Sequence, residues 1–298
     1  MKMFSINRTL IAAFAILIAA LLFSCQKEAS TSNSTTVSEE DAANYSDESA
    51  QADASFDDVT DVSMVAADAD NSAATGRTDG HYFPDFAELR AAIGNCATVT
   101  VSPNDSTYPK TITIDFGDSC VGNDGKLRSG KIVLHLTGPI RHPGSVLTIT
   151  FVNFYINHVH LEGTKIISNL SENNTIKFTV QVVGGKVTFP SGRGFKYESF
   201  KYKHQIAGMD TRIARDDVFE ISGWAKIEYN NGVVVKFETV DPLIKKVACP
   251  WISDGTLKIR INDRVLKLDY GFPNNGDCDN KALLTWNNGN SQRVILLP

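Results

Sequence analysis

The chain has 298 residues, of which 42% are hydrophobic and 21% charged, with a formal net charge of −5. That length supports one sizeable folded core, and the charge balance is too mild to argue for nucleic acid as a partner. Five cysteines leave at least one outside any internal pair.

The chain opens with Lys2 and Arg8, then runs without a charge from Leu10 to Phe23. A helix of that length is about 21 Å long, short of the roughly 30 Å hydrocarbon core of a bilayer. A charged start, a short apolar run and a small residue before a cut describe a secretory signal. Leu22-Phe23-Ser24-Cys25 resembles a bacterial lipobox. The resemblance implies a signal peptide over residues 1–24 and a lipid attached by thioether to Cys25, the mature N-terminus. Two or more acyl chains anchor a protein stably, where one does not. Gln26-Lys27-Glu28 is similar to the lysine-plus-acid signal of surface-exposed lipoproteins in Bacteroidetes. It points to the outer face of the outer membrane, with the periplasmic face as the alternative.

From residue 25 to 80 the chain is Ser, Thr, Ala, Asn and acid. Thirteen Asp/Glu between Glu28 and Asp79 face only Lys27 and Arg77, a net of −11. So few large apolar residues cannot offset chain entropy, and the expectation is a disordered, self-repelling linker between anchor and body. Asp68-Ala69-Asp70 lacks the Gly and terminal Glu of a calcium loop and reads as solvated tail. The remainder, 81–298, carries 25 Lys/Arg against 21 Asp/Glu, a slightly basic body.

In that body Asp85-Phe86-Ala87-Glu88 has the spacing of a capping box and Gly94 supplies a stop, predicting one short helix near 86–93. Everything afterwards alternates with period two: Ile112, Ile114 and Phe116 share one face, as do Ile132, Leu134 and Leu136. Gly184-Gly185, Asn230-Asn231-Gly232, Asn262-Asp263 and Asn287-Asn288-Gly289 each lie between alternating runs, as hairpin turns do. The expected fold is all-β: an antiparallel hairpin meander of ten to twelve strands, forming a sandwich or a strongly curled sheet.

With Cys25 assigned to lipid, four cysteines remain and three pairings are open. An internal echo chooses among them. Cys96 precedes two strand-like runs ending Ile114-Asp115-Phe116-Gly117, then Cys120 and Asp124-Gly125-Lys126. Cys249 precedes two such runs ending Leu268-Asp269-Tyr270-Gly271, then Cys278 and Asp279-Asn280-Lys281. The same order over 96–126 and 249–281 predicts two local staples, Cys96–Cys120 and Cys249–Cys278, each worth about 3 to 4 kcal/mol in the chain-entropy model. The first echo, with Leu161-Glu162-Gly163-Thr164-Lys165, Asp216 to Ile221 and Cys249-Pro250-Trp251-Ile252-Ser253-Asp254-Gly255, resembles an uncharacterised family of Bacteroidetes cell-envelope lipoproteins. That resemblance implies a location and a β-rich build, and no activity.

Motifs for chemistry are weak. His158, His160 and Glu162 would share a face of one continuous strand and could then hold zinc. Asn157-His158 reads instead as a two-residue turn that splits the trio. Asp216, Asp217 and Glu220 read as a solvated loop before a strand rather than as paired catalytic acids. There is no G-x-S-x-G, no HExxH and no P-loop, so neither enzyme nor cofactor is expected. Phe195, Tyr197, Phe200 and Tyr202, interleaved with lysines, are the ligand-binding candidates, and a bend near Ser199 would be needed to unite them on one face. The blander reading is an amphipathic strand pair with aromatics inward. Trp224, Trp251 and Trp286 default to core.

The sequence therefore predicts a lipid-anchored outer-membrane protein, a non-enzymatic surface module with a structural role or one that binds a glycan or an envelope protein. A periplasm-facing lipid carrier or assembly factor is the first alternative, and an enzyme acting on polysaccharide the second.

Overall fold

The computed structural model describes residues 37–75, 82–173, 175–211, 213–273 and 276–297. The signal peptide, Cys25 and the expected linker's ends, 25–36 and 76–80, lie outside the described residues.

Alternation of apolar and polar residues produces fourteen strands, more than the ten to twelve expected. They begin with β1 (Thr98–Ser102), β2 (Lys110–Asp115), β3 (Cys120–Val121) and β4 (Leu127–Leu136). The long central strands are β5 (Val146–Ile156), β6 (Val159–Asn169), β7 (Lys177–Thr188), β8 (Gly194–Ala207), β9 (Val218–Tyr229) and β10 (Val234–Lys246). Four shorter ones follow: β11 (Asp254–Ile261), β12 (Arg264–Asp269), β13 (Lys281–Trp286) and β14 (Ser291–Leu296). All belong to one antiparallel sheet in sequence order, with β3 a side branch paired to β4. Of the two expected architectures, the curled sheet is the one formed.

What curls it is a line of backbone kinks. Gly130, Asn153, Gly163, Gly184, Gly223 and Gly255 take positive φ inside or at the start of β4, β5, β6, β7, β9 and β11. Register shifts fall beside them, at Ser129/Lys131, Thr150/Phe154, Glu162/Thr164 and Val182/Gly185. Such bulges bend a strand and increase its twist. At Gly163 a Cβ would come within 2.7 Å of the Gly185 Cα, so only glycine fits. Gly184-Gly185 is thus a bulge in the middle of β7 and not the hairpin turn its sequence suggested. The turns at Asn230–Gly232, Asn262-Asp263 and Asn287–Gly289 do join consecutive strands.

The sheet curls around a helix. Residues Glu39–Thr75 form α1, about 55 Å long, where a disordered linker was expected. The linker reading counted large apolar residues, found few and inferred that nothing could be buried. The helix is instead built to be enclosed by a basic lining. Ser38 caps it: its Oγ accepts from the Asp41 N–H at 3.1 Å and donates to the Asp41 carboxylate at 2.6 Å. Between Ala52 and Ser63, nine of twelve residues are buried, far more than one face of a helix lying on an open sheet. Four of the nine, Ala52, Ser55, Thr60 and Ser63, are small and let the strands approach closely. Phe56 is the one large ring at its centre, stacked on Tyr197 with centroids 4.5 Å apart.

The short helix α2 (Ala87–Ile93) buries Leu89 and Ile93. Asp85 Oδ1 accepts from the Ala87 N–H at 2.9 Å, and Gly94 ends the helix at φ +78°. Both predicted disulfides are formed, Cys96–Cys120 and Cys249–Cys278. They clip loops at the two ends of the strand order.

Candidate functional site

The interior is a matched set of charges. Helix α1 carries eleven Asp/Glu and no Lys or Arg. Asp53, Asp57 and Asp61 recur every four residues and so share one side of it. They meet Lys201 of β8 at 2.9 Å from both Asp53 and Asp57, and Lys245 of β10 at 2.7 Å from Asp61. Asp58, one residue round, faces the other way and takes Arg128 of β4 at 2.7 Å and Lys126 at 3.1 Å. Farther along, Asp68 meets Arg141 and Asp70 meets Lys110 at 3.0 Å. Asp68-Ala69-Asp70, read from sequence as solvated tail, is thus part of the interior. The hydroxyls of Tyr82 and Tyr108 also donate to Asp70, and the Lys110 ammonium lies 3.8 Å from the Tyr82 ring centroid.

These surroundings move the ionisations. Burial would raise the Asp58 carboxyl, but Arg128 and Lys126 outweigh it and hold it below 3.8. Asp57 is lowered likewise: Lys201 and Lys165 outweigh its burial. Lys201 goes above its usual range because Asp53 and Asp57 outweigh desolvation. Among the described residues no carboxylate makes an ion pair with Lys165 of β6; it donates to the Phe56 carbonyl, and burial lowers it to about 7. Asp217 is raised to about 6, mainly by burial and only partly offset by Arg141 at 3.1 Å. All of this orders the core, and cavities remain beside it: a small one at Asp61, Met64 and Phe219, another at Asp53, Asp57 and Trp251, and a larger one at Asp58, Leu89 and Lys245.

The residues singled out in the sequence divide between the two faces. Along β8 the alternation is unbroken from Phe195 to Gln205, paired residue for residue with β9. No bend occurs at Ser199, so the four aromatics are not united. Phe195 and Tyr197 are buried inside, where Phe195 packs near Tyr229 and Tyr197 on the helix. Phe200 and Tyr202 point outward, their ring centroids 5.0 Å apart, edge to face.

Trp224 of β9, expected in the core, joins them: it sits directly across from Phe200 and is 46% exposed, while Tyr202 is 54% exposed. Gly223 sets it in place. Its φ is +149°, and a Cβ there would lie 2.2 Å from the Phe200 carbonyl oxygen. The surrounding positions are polar: Gln181 opposite Phe200, Thr179 and Ser222 opposite Tyr202, Glu238 opposite Trp224. Trp251 and Trp286 are partly buried against the core. The signal that would have placed Trp224 is its spacing to Ala225 and Ile227, which alternate inward.

Asn157 and His158 form the turn between β5 and β6, at φ +48° and +67°, as the sequence implied. His158 is thereby split from His160 and Glu162, which lie 3.8 Å apart; His160 also stacks on Tyr155 at 4.4 Å. Asp216 accepts from the Thr211 hydroxyl. Asp217 is buried against Arg141 and Gln205, which corrects its reading as a solvated loop acid, and Glu220 faces His204 outside. The three acids do not converge.

No family model matches the chain, and comparisons with curated proteins and with solved structures return no match.

Proposed function

We propose that this chain is a lipid-anchored protein of the outer membrane, exposed at the cell surface, whose body is a non-enzymatic glycan-binding module. The observation that carries the binding assignment is the outward cluster Phe200, Tyr202 and Trp224, whose directly paired neighbours Gln181, Thr179, Ser222 and Glu238 are polar. Aromatic rings present apolar faces that suit the C–H faces of a pyranose, and amides, hydroxyls and a carboxylate around them suit its hydroxyls. A lipid-carrying role is disfavoured, because the helix occupies the interior where an acyl chain would lie. Catalysis is disfavoured because the buried acids and amines are engaged with one another.

Affinity electrophoresis through gels containing soluble envelope and plant polysaccharides tests the reading. Retardation by at least one glycan, lost in Trp224→Ala, supports it; equal mobility in all gels defeats it. Shaving of intact cells with protease tests the location, since a periplasmic body would be shielded. Cys25→Ser should release the protein from the membrane fraction.

A further inference from the structure

Among the described residues, Lys201 is the one lysine that contacts two carboxylates closely, and all three groups lie at the centre of the enclosed helix. The two acids are not equivalent. Asp57 turns both oxygens toward the amine, at 2.9 and 3.0 Å. Asp53 turns one oxygen, Oδ2, toward the amine at 2.9 Å, while its other oxygen, Oδ1, accepts a hydrogen bond from the Tyr197 hydroxyl. Phe56 and Tyr197 are stacked beside them.

That arrangement supplies the parts of an amide-forming site: an amine, a carboxyl whose carbonyl oxygen already has a donor, a second carboxyl to move protons, and burial of both reacting groups, Lys201 and Asp53. We propose that Lys201 and Asp53 condense spontaneously into an isopeptide bond that joins β8 to the central helix, with Asp57 as proton carrier. The ion pair is the starting state. Lys201 passes a proton to Asp57, an uphill exchange from the favoured ion pair whose cost is offset in part because it removes two buried charges. Asp57 hands that proton on to Oδ2 of Asp53, so that a neutral amine faces a neutral carboxyl; the amine attacks Cγ of Asp53, and the Tyr197 hydroxyl stays on Oδ1 as negative charge gathers there. The Nζ–Cγ bond forms. The Cγ–Oδ2 bond breaks, and Oδ2 leaves as water carrying two protons from the nitrogen, relayed by Asp57. One ammonium and one carboxylate become one amide and one water; Asp57 begins and ends as a carboxylate, and no oxidant or reductant is needed. Holding the partners in contact replaces the concentration an intermolecular reaction would require.

The consequence is mechanical. Helix α1 precedes the sheet in the chain, so a pull on its N-terminal side would draw it out of the sheet before loading β1. A bond at Asp53 carries that load directly into β8.

Peptide mapping of the full chain, purified folded, then reduced, denatured and digested, decides the matter. The expected product is a branched peptide joining the segment that contains Asp53 to the one that contains Lys201, lighter than their sum by one water, with fragment ions placing the branch at Asp53. Lys201→Arg should give none. Asp57→Asn leaves both reacting groups and should slow formation on the order of 10²-fold or more, followed as the branched fraction against time after refolding. Recovery of only linear peptides from wild-type protein with both disulfides intact overturns the proposal, and so does a branch at Asp57. Neither outcome depends on glycan binding.

Discussion

Arg128 of β4 and Asp58 of helix α1 form a forked, buried ion pair, with the Arg128 Nη2 2.7 and 2.9 Å from the two carboxylate oxygens and its Nε 3.2 Å from Oδ2. Asp124 takes the other side of the same guanidinium at 2.6 Å. Removing one partner of such a pair strands a charge without water, which costs more than the pair itself is worth. Asp58→Ala should therefore lower stability by about 3–5 kcal/mol in urea unfolding. The double variant Asp58→Ala with Arg128→Met should recover part of that loss, because the guanidinium is then no longer stranded, while Lys126 still loses its carboxylate. An additive double variant would mean that the two residues are not coupled.

Lys165 gives a pH dependence with a defined sign. Its amine is lowered from 10.5 to about 7 by burial, so the unfolded chain holds a proton there that the folded chain gives up between those values. The destabilisation is complete below about 7 and fades as pH rises toward 10.5. Lys165→Met should accordingly be more stable than wild type at pH 6.5, and the gap should narrow by pH 9.5. Urea midpoints of both proteins at the two pH values check it; a gap that is constant with pH would contradict the assignment.

Acid should act on the helix. Asp57 and Asp58 are held below 3.8 by the cations that outweigh their burial. Their contribution is present above 3.8 and is lost as pH falls below it toward the lowered folded values. Amide hydrogen exchange should show residues 52–63 losing protection in that acid range, ahead of the central strands. Retained protection down to full unfolding would show that packing of Phe56 and Val59 suffices alone.

The outer aromatic cluster should be separable from the fold. Tyr202 and Trp224 are about half exposed, so Tyr202→Ala and Trp224→Ala should change stability by no more than about 1 kcal/mol while reducing retention on a glycan gel. Tyr197→Ala should do the reverse, destabilising by about 3–5 kcal/mol as a large buried ring is lost. Comparable unfolding midpoints for Tyr202→Ala and Tyr197→Ala would upset the assignment of faces.

The sequence by itself determined the antiparallel meander, both disulfides, the short helix at Ala87–Ile93 and the turn at Asn157-His158. Each is set by local pattern: a period of two, an echo in cysteine spacing, an Asx residue before a helix, positive-φ residues between strands. It also held the mark of the long helix, in the Ser38–Asp41 cap and the acids spaced four apart at Asp53, Asp57 and Asp61. Tertiary structure decided what those acids are for. Taken alone, a segment with eleven acids and few large apolar residues repels itself and stays open. Enclosed by Lys110, Lys126, Arg128, Arg141, Lys201 and Lys245, it becomes the core. Those cations are scattered over 136 positions of the chain, and only the curl of the sheet, set by glycine kinks one strand at a time, brings them to one axis. The same curl sends Phe200 and Trp224 outward and Tyr197 inward, because side chains alternate along a strand and a curled sheet has one dry face and one wet one.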